Sequence, residues 1–246
     1  LEAARDLKIW VTNQPGSNAV SVAELVFGQM IALVRHTQEA NRAVKENRWS
    51  DYLKFIGTEL AAKTLGIVGM GNIGARMAIR ARAFEMDFLV YDPYIPESHV
   101  TALGGKWVSL RDLLADSDFV TLHCPLNRET RGMVSEKDLT LMKPSAFLIN
   151  AARGGIVDEQ ALCRVLQQNK IAGAALDVIA EEPPAKDHPL FKLDNVLWTP
   201  HLGALTLEAS ERGEWGAAQE VIRVLERKRP KNPVVDAEEA RLFLPA

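Results

Sequence analysis

The hexapeptide Gly69-Met70-Gly71-Asn72-Ile73-Gly74 constrains this chain more than any other feature, because of what flanks it. It follows the apolar run Leu65-Gly66-Ile67-Val68 and opens a helical pattern that continues through Arg76 to Phe84, so the glycines lie at a strand-to-helix turn. At such a turn the first glycine permits the tight bend and the second lets backbone approach a pyrophosphate. The third lets helix and strand pack closely, and the helix N-terminus faces the phosphate charge. The bare pattern carries little weight, whereas strand, glycines and helix in this order predict a dinucleotide cradle.

Around this turn, short β-rich runs alternate with helical patterns. The strand candidates are Thr64 to Val68, Phe88 to Tyr91, Phe119 to His123, Ala146 to Asn150, Ala172 to Asp177 and Val196 to Trp198. Between them Ser109 with Asp112, Ser135 with Asp138, and the run from Asp158 to Gln168 read as capped helices. Strands alternating with helices imply βαβ units, hence an α/β fold: a doubly wound parallel sheet of the Rossmann type, covered by helices on both faces. Upstream, Leu7 to Val11 reads as a strand and Asn13 to Asn18 as a loop. Ser21 and Glu24 then form a Ser-x-x-Glu capping box for a helix running to about Asn47, with Val22, Leu25, Val26, Met30, Leu33 and Val34 on one stripe. A last helix, about Thr206 to Arg229, carries Val221, Val224 and Leu225 on one stripe and stops at Pro230, and the tail from there to Ala246 reads as an extended wrap.

Composition narrows the partners. Lys and Arg number 29 against 32 Asp and Glu, a net charge of -3, so the basic surplus that binding a phosphate backbone needs is missing and nucleic acid is not an expected partner. The longest apolar stretch, Ala23 to Val34, is interrupted by Glu24 and Gln29 and falls short of the roughly 18 residues a membrane span requires, so no membrane partner is expected. Two cysteines, Cys124 and Cys163, are too few for a disulfide framework and agree with a reducing, cytoplasmic setting. No metal site is assigned. The chain starts at Leu1 without an initiator Met or a signal pattern, which leads us to expect residues upstream.

The second strand ends at Asp92, eighteen residues beyond Gly74, where the dinucleotide fold places an acid on the adenosine ribose hydroxyls. Pro93 and Tyr94 follow it instead of an Arg that could neutralise a 2′-phosphate, so NAD is the expected cofactor. Three further residues each follow a predicted strand: Arg153 in Asn150-Ala151-Ala152-Arg153-Gly154-Gly155, Glu182 in Asp177 to Pro183, and His201 in Thr199-Pro200-His201-Leu202-Gly203. In an open parallel sheet the ligand crevice lies beyond the carboxyl ends of the strands, so all three can meet there. Singly, each has a plainer reading as a surface charge, a solvated loop acid or a structural histidine.

Taken in order with His123-Cys124-Pro125-Leu126 and Thr130, these segments resemble the NAD-dependent D-2-hydroxyacid dehydrogenases, the family of D-3-phosphoglycerate, glycerate and D-lactate dehydrogenases, over nearly the whole chain. The resemblance implies that Arg153 binds the substrate carboxylate and carbonyl oxygen, that His201 is the acid/base, and that Glu182 pairs with that histidine. It also implies that Pro93, Cys124, Pro125, Thr130, Ala151, Asp177 and Gly203 line the dinucleotide site together with Arg153, His201 and the glycine turn. The chemistry agrees with these roles. Oxidising a 2-hydroxy acid means removing a hydroxyl proton while hydride leaves the same carbon for the nicotinamide, which suits a histidine. A neighbouring carboxylate favours its protonated form for the reverse direction. Arg offers a planar fork for a carboxylate that Lys does not.

The expected organisation is an NAD-binding domain over 12–204, with 1–11 closing an upstream substrate domain and 205–246 returning to it. The resemblance also implies a homodimer, in which the helix from Val22 to about Asn47 supplies much of the interface. Three departures stand out. The family's glycine-containing loop that grips the substrate carboxylate belongs upstream of the segment resembling Leu7 to Glu24, so the chain as it stands is expected to bind NAD yet turn over 2-hydroxy acids poorly. Gln14 stands where relatives often carry a Thr near the nicotinamide, and nothing resembling the regulatory domain of long phosphoglycerate dehydrogenases follows Pro230. Two rival readings remain: a formate dehydrogenase of the same superfamily, disfavoured because that branch resembles Gln where this chain has Glu182, and a non-enzymatic NAD-sensing corepressor or scaffold.

Overall fold

A computed structural model describes residues 1–235. In chain order the elements are α1 Glu2–Asp6, β1 Val11–Thr12, α2 Ala19–Arg35, α3 Thr37–Lys45, β2 Thr64–Val68, α4 Asn72–Ala83, β3 Asp87–Tyr91, α5 Glu97–Ala102, β4 Lys106–Trp107, α6 Leu110–Asp116, β5 Phe119–Leu122, α7 Glu136–Leu139, β6 Phe147–Asn150, α8 Glu159–Gln167, β7 Gly173–Leu176, β8 Val196–Trp198, α9 Leu207–Leu225 and β9 Pro233–Val235. Two compact units result: Val22–Gly203, and Leu1–Ser21 together with 204–235 of the described residues.

The larger unit is a seven-stranded sheet in the order β4-β3-β2-β5-β6-β7-β8, and every pairing in it is parallel. Strand order reverses between β2 and β5, which opens a crevice at their carboxyl ends. Successive strand residues point to opposite faces, so the strands inside the exposed edge β4 feed two cores. Phe119, Ile149 and Ala175 join α2, α4 and α5 residues such as Met30, Met77 and Val100 on one face. Val120, Leu148 and Ala174 join Leu113, Leu139 and Leu162 of α6, α7 and α8 on the other. Burial on both sides explains why these strands read as continuous apolar runs without polar alternation.

Caps hold the helices as the sequence predicts at three places. Ser109 Oγ accepts from Asp112 N–H, Ser135 and Asp138 form a reciprocal capping box, and Asp158 accepts from Ala161 N–H. The short edge strand β4 was not foreseen.

The first 50 residues depart from expectation. Leu7 to Val11 is not a strand: α1 precedes it, Lys8 adopts φ +53°, and only Val11 and Thr12 pair, antiparallel with β9. Nor do Ser21 and Glu24 cap a helix, because α2 has already begun at Ala19. Ser21 is buried with its hydroxyl 2.8 Å from that of Thr206, and Glu24 pairs with Arg80 of α4 at 2.7 Å. The helix expected to reach Asn47 breaks at His36, a left-handed residue at φ +50°, and resumes as α3 at an angle of 62°. The stripe expected at a subunit interface is spent inside the chain: Val22, Val26, Met30 and Val34 are all buried in the core of their own sheet. Just beyond α3, by contrast, Trp49, Tyr52, Leu53 and Ile56 are exposed.

In the smaller unit α9 starts at the Thr206 cap, whose side chain accepts from Ala209 N–H. Its Val221 and Leu225 are exposed, and Val224 is half-buried. Of the tail, Pro233–Val235 is extended as expected, and 236–246 lie outside the described residues. Gln14 packs against Gly216 of α9, where a Cβ would stand 2.1 Å from its Oε1. Among the described residues no single helix is long and apolar enough to cross a membrane.

Candidate active site

The β2–α4 turn is shaped by two close approaches and one open space. Gly69 sits at φ +94°, and a side chain there would press within 2.7 Å of the Cys124 amide. A Cβ on Gly74 would lie 2.3 Å from the Gly69 carbonyl. A Cβ on Gly71 would meet no protein atom within 4 Å, so nothing in the chain itself excludes a side chain there. The amides of Asn72, Ile73 and Gly74 open α4, where no N–H has an intrahelical acceptor, and neither a side-chain cap nor an acidic first-turn residue competes for them. An uncapped helix start beside a glycine that packing does not require fits an incoming pyrophosphate.

Beside this turn lies a cavity of about 230 Å³ at the strand-order reversal, lined among others by Gly69, Gly71, Asp92, Cys124, Pro125 and Thr130. Pro93 also borders it. Asp92 is fixed from two directions: Oδ2 accepts from Met70 N–H at 2.8 Å and Oδ1 from Tyr94 N–H at 2.9 Å. The carboxylate therefore ties the end of β3 to the glycine turn and keeps further lone pairs for hydroxyl donors. Thr130 is held within its own loop, donating to the Pro125 carbonyl at 2.6 Å and accepting from Asn127 N–H at 2.9 Å. Burial pushes the Cys124 thiol up to about 11, which keeps it neutral.

Along the same edge of the sheet, β6, β7 and β8 deliver the other three candidates. Asn150, the last residue of β6 and buried, accepts from Ala152 N–H and donates to the Arg153 carbonyl, which shapes the turn presenting Arg153. Glu182 Oε1 accepts from Ile179 N–H at 3.2 Å, and Glu182 Oε2 lies 2.7 Å from His201 Nδ1. That bond to His201, helped by the Ile179 amide and the charges of His201 and Arg153, holds the Glu182 carboxyl below its usual value against a smaller desolvation effect. Glu182 is thus ionised at neutral pH, with Arg153 inside its electrostatic reach. Gly154 makes this proximity possible: a Cβ there would come within 2.0 Å of the Ile179 carbonyl carbon.

His201 itself is left-handed at φ +55°. Its strained loop is held by the Asp177 carboxylate, which is 2% exposed and accepts from the Thr199 hydroxyl, from Leu202 N–H at 2.8 Å and from Gly203 N–H at 2.8 Å. Gln29, buried in α2, donates to Thr199 Oγ1 at 2.9 Å and completes the support. Gln29, Thr199 and Asn150 were not foreseen as contributors. A polar residue inside an otherwise apolar helical stripe was the available signal for Gln29. The cavity does not take in every predicted cofactor residue: Asn72, Ile73 and Gly74 lie in the first turn of α4, while Ala151, Asp177 and Gly203 lie with the β6 to β8 loops.

The family model described as "D-isomer specific 2-hydroxyacid dehydrogenase, NAD binding domain" matches residues 27–203. The D-3-phosphoglycerate dehydrogenase of Methanocaldococcus jannaschii is 43% identical over 235 residues, 95% of this chain but 44% of that relative, so the chain spans less than half the length of the enzyme it matches. Among solved structures, a D-lactate dehydrogenase from Aquifex aeolicus complexed with NAD and lactic acid superimposes with a TM-score of 0.86 at 33% identity, covering 96% of this chain and 76% of that one. An acyclic imino acid reductase in complex with NADPH and D-Arg gives 0.86 at 34% identity, covering 95% and 74%.

Proposed function

Since the chain belongs to the D-isomer specific 2-hydroxyacid dehydrogenases and carries their NAD-binding domain over residues 27–203, we propose that it contributes the cofactor site and the proton-transfer group for reversible oxidation of a D-2-hydroxy acid to its 2-keto acid. The observation that carries this reading is the His201–Glu182 pair, 2.7 Å apart on the same strand-end edge as the glycine turn. Nδ1 is engaged by the carboxylate, so Nε2 is the nitrogen left to exchange a proton with substrate. Glu182 balances the charge the ring acquires on taking the hydroxyl proton and fixes its orientation. Arg153 supplies a cationic fork for the substrate carboxylate and for negative charge on the reacting oxygen. Bound nicotinamide dinucleotide supplies hydride transfer to and from the carbon bearing that oxygen.

Asp92 favours NAD. A 2′-phosphate about 4 Å from it would be repelled by roughly 1 to 4 kcal/mol, while two ribose hydroxyls find free lone pairs. The dinucleotide site takes in Gly69, Gly71 and the α4 first turn, Asp92 and Pro93, Cys124, Pro125 and Thr130, and Ala151, Arg153, Asp177, His201 and Gly203. Residues 12–204 form the NAD-binding domain, and 1–11 and 205–246 belong to the substrate domain. The protein acts in the cytoplasm, in keeping with its two free thiols. It works as a homodimer, whose interface falls to the exposed Trp49, Tyr52, Leu53 and Ile56 instead of the buried α2 stripe. A monomer in light scattering at micromolar concentration would remove that assignment.

The test measures NADH binding by fluorescence, and NADH oxidation against a panel of 2-keto acids, on the 246-residue chain beside a form extended upstream. Binding by both, with turnover in the extended form, is expected. Binding without turnover of any 2-keto acid in either form would favour the NAD-sensing scaffold.

A further inference from the structure

The cavity at the strand-order reversal is bordered by two carboxylates from different loops. Asp92 approaches from the end of β3. Glu129 approaches from the loop after β5, and both line the cavity together with Tyr94. The Tyr94 hydroxyl donates to a Glu129 carboxylate oxygen, so one side-chain bond joins the β3–α5 loop to the β5–α7 loop beside the cavity. The Tyr94 backbone is in turn anchored through its N–H to Asp92 Oδ1. Asp92, Tyr94 and Glu129 therefore form one connected border. Glu129 is further set by its own N–H, which donates to Asn127 Oδ1 at 2.8 Å.

A separate observation in the same cavity points to a polar ligand. His123 lines it, with Nε2 2.9 Å from the Thr121 hydroxyl, while Nδ1 is buried without a hydrogen-bond partner. A buried nitrogen left unmatched costs free energy that a ligand hydroxyl or ring nitrogen would recover. Burial pushes the His123 ring down to about 3, so it offers a neutral donor or acceptor and no positive charge to a phosphate.

We propose that Glu129, positioned by Tyr94, is a second cofactor-discriminating acid: Asp92 receives the ribose hydroxyls, and Glu129 adds a charge that makes this end of the cavity hostile to a 2′-phosphate. This rests on the reading of the cavity as the adenosine end of an NAD site. The physical reason for two acids is geometric. A phosphate repelled by Asp92 alone can relax away from it, but Glu129 lines the same cavity and adds a second negative charge to its border. A cavity this small lies within one Debye length, roughly 8 to 10 Å at physiological salt, so neither charge is screened from the ligand. The fold itself accepts either dinucleotide, as the NAD and NADPH complexes of two relatives show, so the choice falls to side chains around the ribose.

The experiment is calorimetric titration of the 246-residue chain with NADH and with NADPH, at low and at high salt. Glu129→Gln is expected to tighten NADPH roughly three- to tenfold while changing NADH less than about twofold. Its NADPH affinity should also lose part of its dependence on salt, because one of the two screened charges is gone. Tyr94→Phe should produce part of the same selective gain, since the carboxylate keeps its charge and loses its anchor. Combining Glu129→Gln with Asp92→Asn should exceed either alone. Equal changes for both dinucleotides, or none, would overturn the discriminating role while leaving the NAD reading intact. If Gly71→Val binds NADH as tightly as the unsubstituted chain, or that chain binds neither dinucleotide, the cavity is not the cofactor site and both readings fall.

Discussion

The two ends of the crevice are built by different means. At the β2–α4 turn the recognising groups are backbone amides, and the side chains that matter are the missing ones of Gly69, Gly71 and Gly74. At the β7 and β8 ends the chemistry rests on side chains, His201 and Glu182, held by a buried polar network through Asp177, Thr199 and Gln29. A backbone site is set by chain geometry and fails when something is added. A side-chain site is set by partners and fails when something is removed. Substitutions at the two ends should therefore separate binding from turnover, and five of them test that separation.

The largest effect is expected from His201→Ala in the upstream-extended form: turnover falls by about 10² to 10⁴, the range for general acid/base work, while NADH affinity stays within a fewfold. Parallel losses in steady-state kinetics and fluorescence titration would show that the two ends are not separable. The glycine turn should behave in the opposite way. The Cβ of Gly71→Val would meet no protein atom within 4 Å beyond its chain neighbours, so its melting temperature should stay close to that of the unsubstituted chain while NADH binding weakens by about 10²-fold, because the side chain occupies the space a pyrophosphate needs. Gly74→Val, whose Cβ would lie 2.3 Å from the Gly69 carbonyl, should instead unfold the protein at markedly lower temperature. Similar behaviour of the two variants would break the distinction between a glycine kept for a ligand and one kept for packing.

Asp177→Asn comes next. Its carboxylate serves three donors from inside the core, and an amide nitrogen in place of one oxygen sets donor against donor, with an expected loss of about 2 to 3 kcal/mol in urea unfolding and a slower enzyme as the His201 loop loosens. Unchanged stability would mean that the loop does not depend on this carboxylate.

The same contrast decides what could be read from the sequence. The glycine turn, Asp92 and strands β2, β3 and β5 to β8 were legible, because chain-local rules of spacing and apolar runs specify them. Arg153, Glu182 and His201 were legible as positions past strand ends, where a parallel sheet gathers its loops. Their supports were not. Asp177, expected in the cofactor site, also has a supporting part that no spacing rule announces: the residue is 2% exposed and its carboxylate bonds to the His201 loop, a fact of tertiary packing alone. Gln29 hid in an apolar stripe. The break at His36 had no glycine or proline to announce it, and Ser21 with Glu24 imitated a cap inside a helix that starts two residues earlier. Chain-local signals failed where long-range partners, such as Thr206 for Ser21 and Arg80 for Glu24, set the outcome.

The smallest effect belongs to the pair that joins charge to geometry. Glu182 is held below its usual value chiefly by His201, so the stabilisation it gains is fully present above the ordinary Glu value near 4.5 and is lost only as pH falls through the lower folded value. Between pH 6 and 8 its charge is therefore constant, so what it gives the ring it faces does not change across that window. Keto-acid reduction takes a proton from that ring. Glu182→Gln keeps a hydrogen-bond acceptor for Nδ1 but removes the counter-charge, so the pH profile of reduction should move toward acid. The shift should stay within about one pH unit, because both side chains are more than a third exposed and water screens them, and it should shrink further at high salt. A pH profile that keeps its midpoint would mean that Glu182 positions the ring without tuning it, leaving the side-chain end of the crevice as geometric in its working as the backbone end.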